Sequence, residues 1–166
     1  MADKAKAKMA DIVQDGDITL QNVTQTRGMQ IRSNKGSVTI EQKIDDHSDV
    51  TIHAAVDVTI VQKIDQHSAA TITAGRNVSI GQKIDQHSLA RITAGANILI
   101  GQKVDQHSVA FLSAPHGSIT ISQGISAEAV VHSTAKHESL GTIDSGASAD
   151  HNMNAAVDPT QVGPDS

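Results

Sequence analysis

The chain has no cysteine, no tryptophan and no tyrosine, and a single phenylalanine among its 166 residues. Without thiols there can be no disulfide, no thiol nucleophile and no cysteine-ligated zinc. The near absence of aromatics is as informative. A globular core of this size ordinarily draws on several of them, because each buries a large apolar area. Here Val, Ile, Leu and Ala must fill the interior, which suits a narrow, regular one. Positive charge is also scarce, with 13 Lys and Arg against 18 Asp and Glu and a formal charge of −5. That speaks against nucleic acid as a partner, since phosphate contacts need a basic patch and single-strand platforms need aromatics. No run approaches the roughly 18 apolar residues of a membrane span. Met1 to Gln14 carries Lys4, Lys6 and Lys8 but no apolar stretch, so it does not read as a secretory signal peptide. The expected location is the cytoplasm or, by leaderless secretion, outside the cell.

What is present is repetition. Gln42-Lys-Ile-Asp-Asp-His-Ser48 returns as Gln62-Lys-Ile-Asp-Gln-His-Ser68, as Gln82-Lys-Ile-Asp-Gln-His-Ser88 and as Gln102-Lys-Val-Asp-Gln-His-Ser108, at a spacing of 20 each time. Each copy is preceded by an apolar-x-apolar block (Val38/Ile40, Val58/Ile60, Val78/Ile80, Ile98/Ile100) and followed by Ile52, Ile72, Ile92 or Leu112. Worn copies flank these, opening at Asp17-Ile-Thr-Leu20 and at Ser118-Ile-Thr-Ile121, the latter one residue late after Pro115-His116-Gly117. Apolar and polar residues alternate within a copy, the mark of strands with one buried face. Because 20 is even, stacked coils keep their side-chain parity. The sequence therefore predicts an all-β fold: a single-stranded parallel β-solenoid of about six coils of ~20 residues, with worn terminal coils as caps. Parity places Gln42, Gln62, Gln82, Gln102, Gln66, Gln86, Gln106 and the Ser residues 48, 68, 88 and 108 inside, as amide and hydroxyl ladders, unless some of the Gln sit at corners. An unsatisfied inward amide would cost about 1–3 kcal/mol.

Thr71-Ile-Thr-Ala-Gly-Arg-Asn-Val-Ser-Ile-Gly81 and Arg91-Ile-Thr-Ala-Gly-Ala-Asn-Ile-Leu-Ile-Gly101 resemble the rungs of filamentous-haemagglutinin repeats. The likeness extends over roughly residues 15–125. It implies a right-handed parallel β-helix and, by analogy, a shaft or adhesin-like module at a bacterial cell surface. The Gln-Lys-Ile-Asp-Gln-His-Ser block is not part of that rung pattern, and rung motifs encode no active site.

Three segments are expected: residues 1–14 as a polar segment or capping helix, 15–136 as the solenoid, and 137–166 as a Ser/Gly/Ala/Asp-rich disordered tail.

The same parity argument puts Lys43, Lys63, Lys83 and Lys103, Asp45, Asp65, Asp85 and Asp105, and His47, His67, His87 and His107 outward as three parallel columns. Column neighbours are then about 4.8 Å apart and columns about 6.5–7 Å apart. One reading is a metal site, with imidazoles one coil apart and Asp upstream sharing zinc or copper. A hydrolytic reading needs a nucleophile and an oxyanion pocket, yet the Ser column points inward and the face is flat. The bland reading is charge compensation, Lys beside Asp, worth tenths of a kcal/mol per pair. Four stacked His also predict a loss of stability or association on acidification toward pH ~6. An ordered Lys face can dock against a second copy, and the outward Leu89, Val109 and Phe111 beside Ala69 make a small apolar contact patch. Outward Thr71, Thr73 and Thr93 hint at an ice-binding array, which Arg91 and Phe111 interrupt. The expectation is a non-enzymatic, self-associating structural solenoid without a resident cofactor, the alternative being a module that binds metal ions or a protein or glycan partner.

Overall fold

The computed structural model describes residues 10–153, and within them it contains strands and no helix. The chain winds into a parallel β-solenoid of about seven turns, one more than the repeat count suggests. Each turn passes three strand positions. The first is a long strand: Met29–Ser33, Asp49–Ala54, Ala69–Ala74, Leu89–Ala94, the opening half of Val109–Ile121, Val130–Ser139 and Ser148–Met153, with Ile12–Gln14 beneath the series. The second is short: Ile18–Leu20, Val38–Ile40, Val58–Ile60, Val78–Ile80 and Ile98–Ile100, continued by the closing half of Val109–Ile121. The third is a minimal pairing at Val23–Thr24, Ile44–Asp45, Lys103–Val104, Gly124–Ile125 and Thr142–Ile143, with single bridges at Ile64 and Ile84. All pairings are parallel and in register, so Ile52 lies on Ile72 and Ile72 on Ile92. The late coil is absorbed within a strand and not by a separate turn. Val109–Ile121 runs through the corner as one strand, with an irregularity in its pairing between Ala114 and Ser118.

Two boundaries differ from the sequence expectation. At the start, Ile12–Gln14 is a strand paired to Met29–Ser33; residues 1–9, where a capping helix was expected, lie outside the described residues. At the other end, pairing does not stop at residue 136: Ser148–Met153 lies in register on Val130–Ala135. The late strands are hard to recognise because polar residues enter their inward columns, Ser133 above Leu112 and Glu138 above Ile119.

The core is a set of stacked columns of Ile, Val and Ala, fully buried throughout the central coils. With so narrow an interior, neighbouring coils touch backbone to backbone at the corners. A Cβ added to Gly95 would lie 2.1 Å from the carbonyl oxygen of Gly75, a contact no side-chain rotation relieves.

One corner carries a polar ladder. Asp17 Oδ1 accepts the Ser37 amide at 2.8 Å, and Ser37 Oγ accepts the Asp57 amide at 3.2 Å. Asp57 Oδ1 takes both the amide and the Nδ2 of Asn77 at 3.0 Å, Asn77 Oδ1 takes the amide of Asn97 at 3.3 Å, and Asn97 Oδ1 takes the Ser118 amide at 3.0 Å. These side chains satisfy corner amides that pairing alone leaves open.

Candidate functional site: the Lys-Asp-His corner

Alternation holds only where the chain is extended, and it fails between Gln62 and Ser68. Gln66 and His67 both have positive φ, 53° and 59°, as do the matching pairs at 46–47, 86–87 and 106–107. Two successive left-handed residues are the φ pattern of a type I′ turn. It is closed where Ser88 donates its amide to the Asp85 carbonyl at 3.3 Å and Ser108 to Asp105 at 3.1 Å. The turn redirects the side chains. Asp65 and Asp85 are not outward as parity predicts: each is only 1% exposed, and Asp45 is buried with them. Asp105 is partly buried. The Gln residues go the other way. Gln62, Gln82 and Gln102 are half-buried and Gln42 is exposed, while Gln66, Gln86 and Gln106 occupy the turn itself, so the corner alternative is the one the chain adopts. Ser48, Ser68, Ser88 and Ser108 are buried as expected. Ser48 Oγ donates to the Asp45 carbonyl at 2.6 Å, and the Ser48 amide donates to Ser68 Oγ at 3.2 Å.

A buried carboxylate needs both charge and hydrogen-bond partners, and the repeat supplies them two residues away and one residue away. Lys63 Nζ lies 2.5 Å from Asp65 Oδ2 and Lys83 Nζ 2.6 Å from Asp85 Oδ2; the pairs in the flanking coils are Lys43–Asp45 at 2.7 Å and Lys103–Asp105 at 3.1 Å. The other oxygen accepts the following amide, Gln66, Gln86 or Gln106, at 2.8–2.9 Å. Lys83 also reaches Asp105 of the next coil at 3.8 Å. The hydrogen bond to Asp85 raises the Lys83 ammonium above the usual range, against the opposing effect of burial, with the charges of Asp85, Asp105 and Asp65 adding to it. Lys43 is raised in the same way by Asp45. For Asp105, burial favours the neutral acid, but hydrogen bonds from Lys103, Ser126 and the Gln106 amide, with the Lys103 charge, hold the carboxyl below its ordinary value. The Lys and Asp columns are thus one internal device that fixes the turn.

The His column stands apart. His47, His67, His87 and His107 are exposed and their rings are stacked, with centroids 5.2, 5.0 and 4.8 Å apart and planes within 3° of parallel. Backbone bonds keep the turns in step: the His47, His67 and His87 amides each donate to the Gln carbonyl of the next coil at 2.9 Å. Both ends of the ladder meet a carboxylate. His47 Nδ1 lies 3.3 Å from Asp46, and His107 Nε2 lies 2.7 Å from Glu128, which holds the His position of the next coil with φ of 66°. The structure therefore does not bring the sequence-derived metal set together. The oxygens of Asp65, Asp85 and Asp105 are bound to Lys and to amides, and Asp45 is bound to Lys43 through Oδ2 while its buried Oδ1 has no hydrogen-bond partner among the described residues. Parallel rings send their in-plane lone pairs along parallel lines that do not converge on one ion. Among the described residues no group of three or more such ligands is found.

Leu89, Val109 and Phe111 do face outward on the long-strand side, half-buried. Leu89 and Val109 continue the column of Ala69, whereas Phe111 belongs to the next column, between Arg91 and His132. The Arg91 guanidinium sits 4.4 Å over the Phe111 ring, and the His132 ring is stacked on Phe111 at 5.0 Å. Glu128 and His132 escaped the sequence reading because they lie in coils whose repeat motif has worn away. Comparison of the chain with protein families, with curated proteins and with solved structures finds no match in any of the three.

Proposed function

We propose that this chain is a non-enzymatic structural solenoid that associates with copies of itself, as a filament subunit or shaft, using the Gln-His corner as the contact edge. The observation that carries this reading is the four-imidazole ladder, exposed and parallel at 4.8–5.2 Å, built on backbone that Gly or Asn adopts more cheaply. Non-glycine residues in the left-handed region cost on the order of 1–3 kcal/mol each. A turn serving stability alone has no reason to hold His there in four successive coils, preceded by Gln in three of them. A rigid ladder of fixed period is matched at every step only by a surface of the same period, and a second copy has that period by construction. Much of the rest of the repeat is occupied in holding the turn, Lys with Asp, Ser48 with the Asp45 carbonyl, and the Ser68 and Ser108 hydroxyls with backbone amides of the preceding coil, which supports a structural rather than a catalytic role.

Sedimentation velocity over a concentration series, with negative-stain imaging of the same samples, tests the reading. The expected result is a species that grows with concentration and reverts toward monomer in a His67→Ser/His87→Ser variant. A monodisperse monomer at the highest concentration overturns it, as does undiminished assembly of the variant.

A further inference from the structure

The long-strand face carries a second ordered feature, on a different side of the coil from the His ladder. Two outward columns run along the axis there. One is tall over three coils: Arg91, Phe111 and His132, each directly above the last in register. The other, two residues further along each strand, is low and hydroxylic: Thr93, Ser113 and Thr134. All six line one groove of about 510 Å³, which reaches Thr71 at one end and Asp150 at the other. That volume is in the range of sites that hold small organic ligands.

The groove has a definite chemical character. Both faces of Phe111 are covered, by Arg91 on one side and His132 on the other, so the ring offers its rim and not a stacking platform. The wall is therefore a rigid ridge that orients its two polar members. His132 is partnered, its Nδ1 lying 3.5 Å from the Asp150 carboxylate. Arg91 has no carboxylate partner among the described residues; its guanidinium lies over the Phe111 ring and lines the groove. The low column presents hydroxyls at the rung spacing of about 4.8 Å over a groove about 19 Å long from end to end. A fitting ligand is extended, bears hydroxyls at a repeat close to that spacing, and carries an anionic group for a guanidinium that recognises such groups in planar, two-point fashion.

We infer that the Arg91–Phe111–His132 ridge and its Thr93–Ser113–Thr134 floor form a binding groove for an acidic oligosaccharide laid along the solenoid axis. The sugar repeat is comparable to the rung spacing, its hydroxyls meet the hydroxyl floor, and a carboxylate or sulfate meets Arg91. This site is independent of the contact edge proposed above: it concerns other residues and is read by ligand binding, not by assembly state.

Calorimetric titration of the full chain with a tetra-uronate, a sulfated tetrasaccharide and a neutral tetrasaccharide tests it. The expected order is either acidic ligand bound and the neutral one weaker by about tenfold or more. The uronate and sulfate arms identify which anion the groove prefers. Arg91→Gln, at an exposed position and with its fold checked by far-UV circular dichroism, should remove the preference for acidic over neutral ligand, and Ser113→Val should weaken all three. Thr19→Val, on the short-strand side, should change nothing. No binding of either acidic ligand at millimolar concentration overturns the inference, as do equal affinity for neutral and acidic ligands or an Arg91→Gln variant that binds like the parent.

Discussion

The buried Asp85 makes an asymmetric prediction about its own ion pair. Asp85 Oδ2 holds Lys83 at 2.6 Å and Oδ1 holds the Gln86 amide at 2.8 Å, with the carboxylate 1% exposed and the Lys83 side chain 24% exposed. Replacing Lys83 by Met strands a carboxylate that water cannot reach, with the Gln86 amide as its one remaining partner among the described residues. Breaking a buried pair in this way costs about 3–5 kcal/mol. Replacing Asp85 by Asn is milder, because the amide oxygen still accepts from Gln86 and the partly exposed Lys83 ammonium turns to water or to Asp105. About 1–2 kcal/mol is expected for the lost charge-assisted bond. Asp85→Ala lies between them at about 2–4 kcal/mol, since the Gln86 amide is then left without its acceptor. The Lys83→Met/Asp85→Asn double variant should recover much of the Lys83→Met loss, because no buried charge remains. Urea unfolding followed by far-UV circular dichroism gives the totals. Hydrogen exchange at Gln86 and His87 locates them, which matters because solenoid coils can unfold in sequence and not all at once. If Lys83→Met proves no worse than Asp85→Asn, the carboxylate is not buried as described and the reasoning is wrong.

Three further outcomes follow from the same geometry. Asp105 is lowered in the folded chain, so its contribution is present above the ordinary carboxylate range of about 3.9 and vanishes as pH falls through its lower folded value. Lys83 and Lys43 are raised, so theirs is full below about 10.4 and vanishes as pH rises through their higher folded values. The contribution of these three groups should thus be level through neutrality and fall at both extremes; Asp105→Asn should flatten the acid limb and Lys83→Met the alkaline one in urea titrations across pH. Gly95→Ala, whose methyl would press on the Gly75 carbonyl at 2.1 Å, should lower stability by about 1–3 kcal/mol by thermal or urea unfolding; a neutral result would mean the coils are less tightly stacked. Gln86→Asn, at φ of 51°, should raise stability by roughly 0.5 kcal/mol, since Asn enters the left-handed region more easily; a loss of stability would assign the Gln side chain a structural role.

The strands and their register were legible because 20 is even and alternation marks every extended stretch, so Ile52, Ile72 and Ile92 identified their own column. The corner was not legible. Alternation carries no information across a left-handed turn, and nothing in Asp65-Gln-His-Ser68 announces one where Asn-Gly would have. That is why the Asp column was placed outside and the Gln columns inside. The His column came out right because the turn leaves it projecting in either case. The Asp57–Asn77–Asn97 ladder was present in the sequence as a spaced Asx motif, but its acceptors work on backbone amides of the next coil, which only the stacked backbone reveals. The pairing beyond residue 136 was missed because Glu138 and then Asp150, His151 and Asn152 break the apolar pattern that strand recognition depends on.

The identity of register from coil to coil also bears on how such a chain changes over time. Ala69 lies directly on Asp49 and Leu89 directly on Ala69, so the backbone leaves each coil where it entered, displaced along the axis. Removing residues 69–88, or duplicating them, rejoins the chain at equivalent points and disturbs no pairing. Length is therefore a quantity the gene can adjust in whole steps by unequal recombination, each step shifting the far end by about 4.8 Å. The fold itself is graduated in coils, and its graduations can be added or erased while everything on either side stays in place.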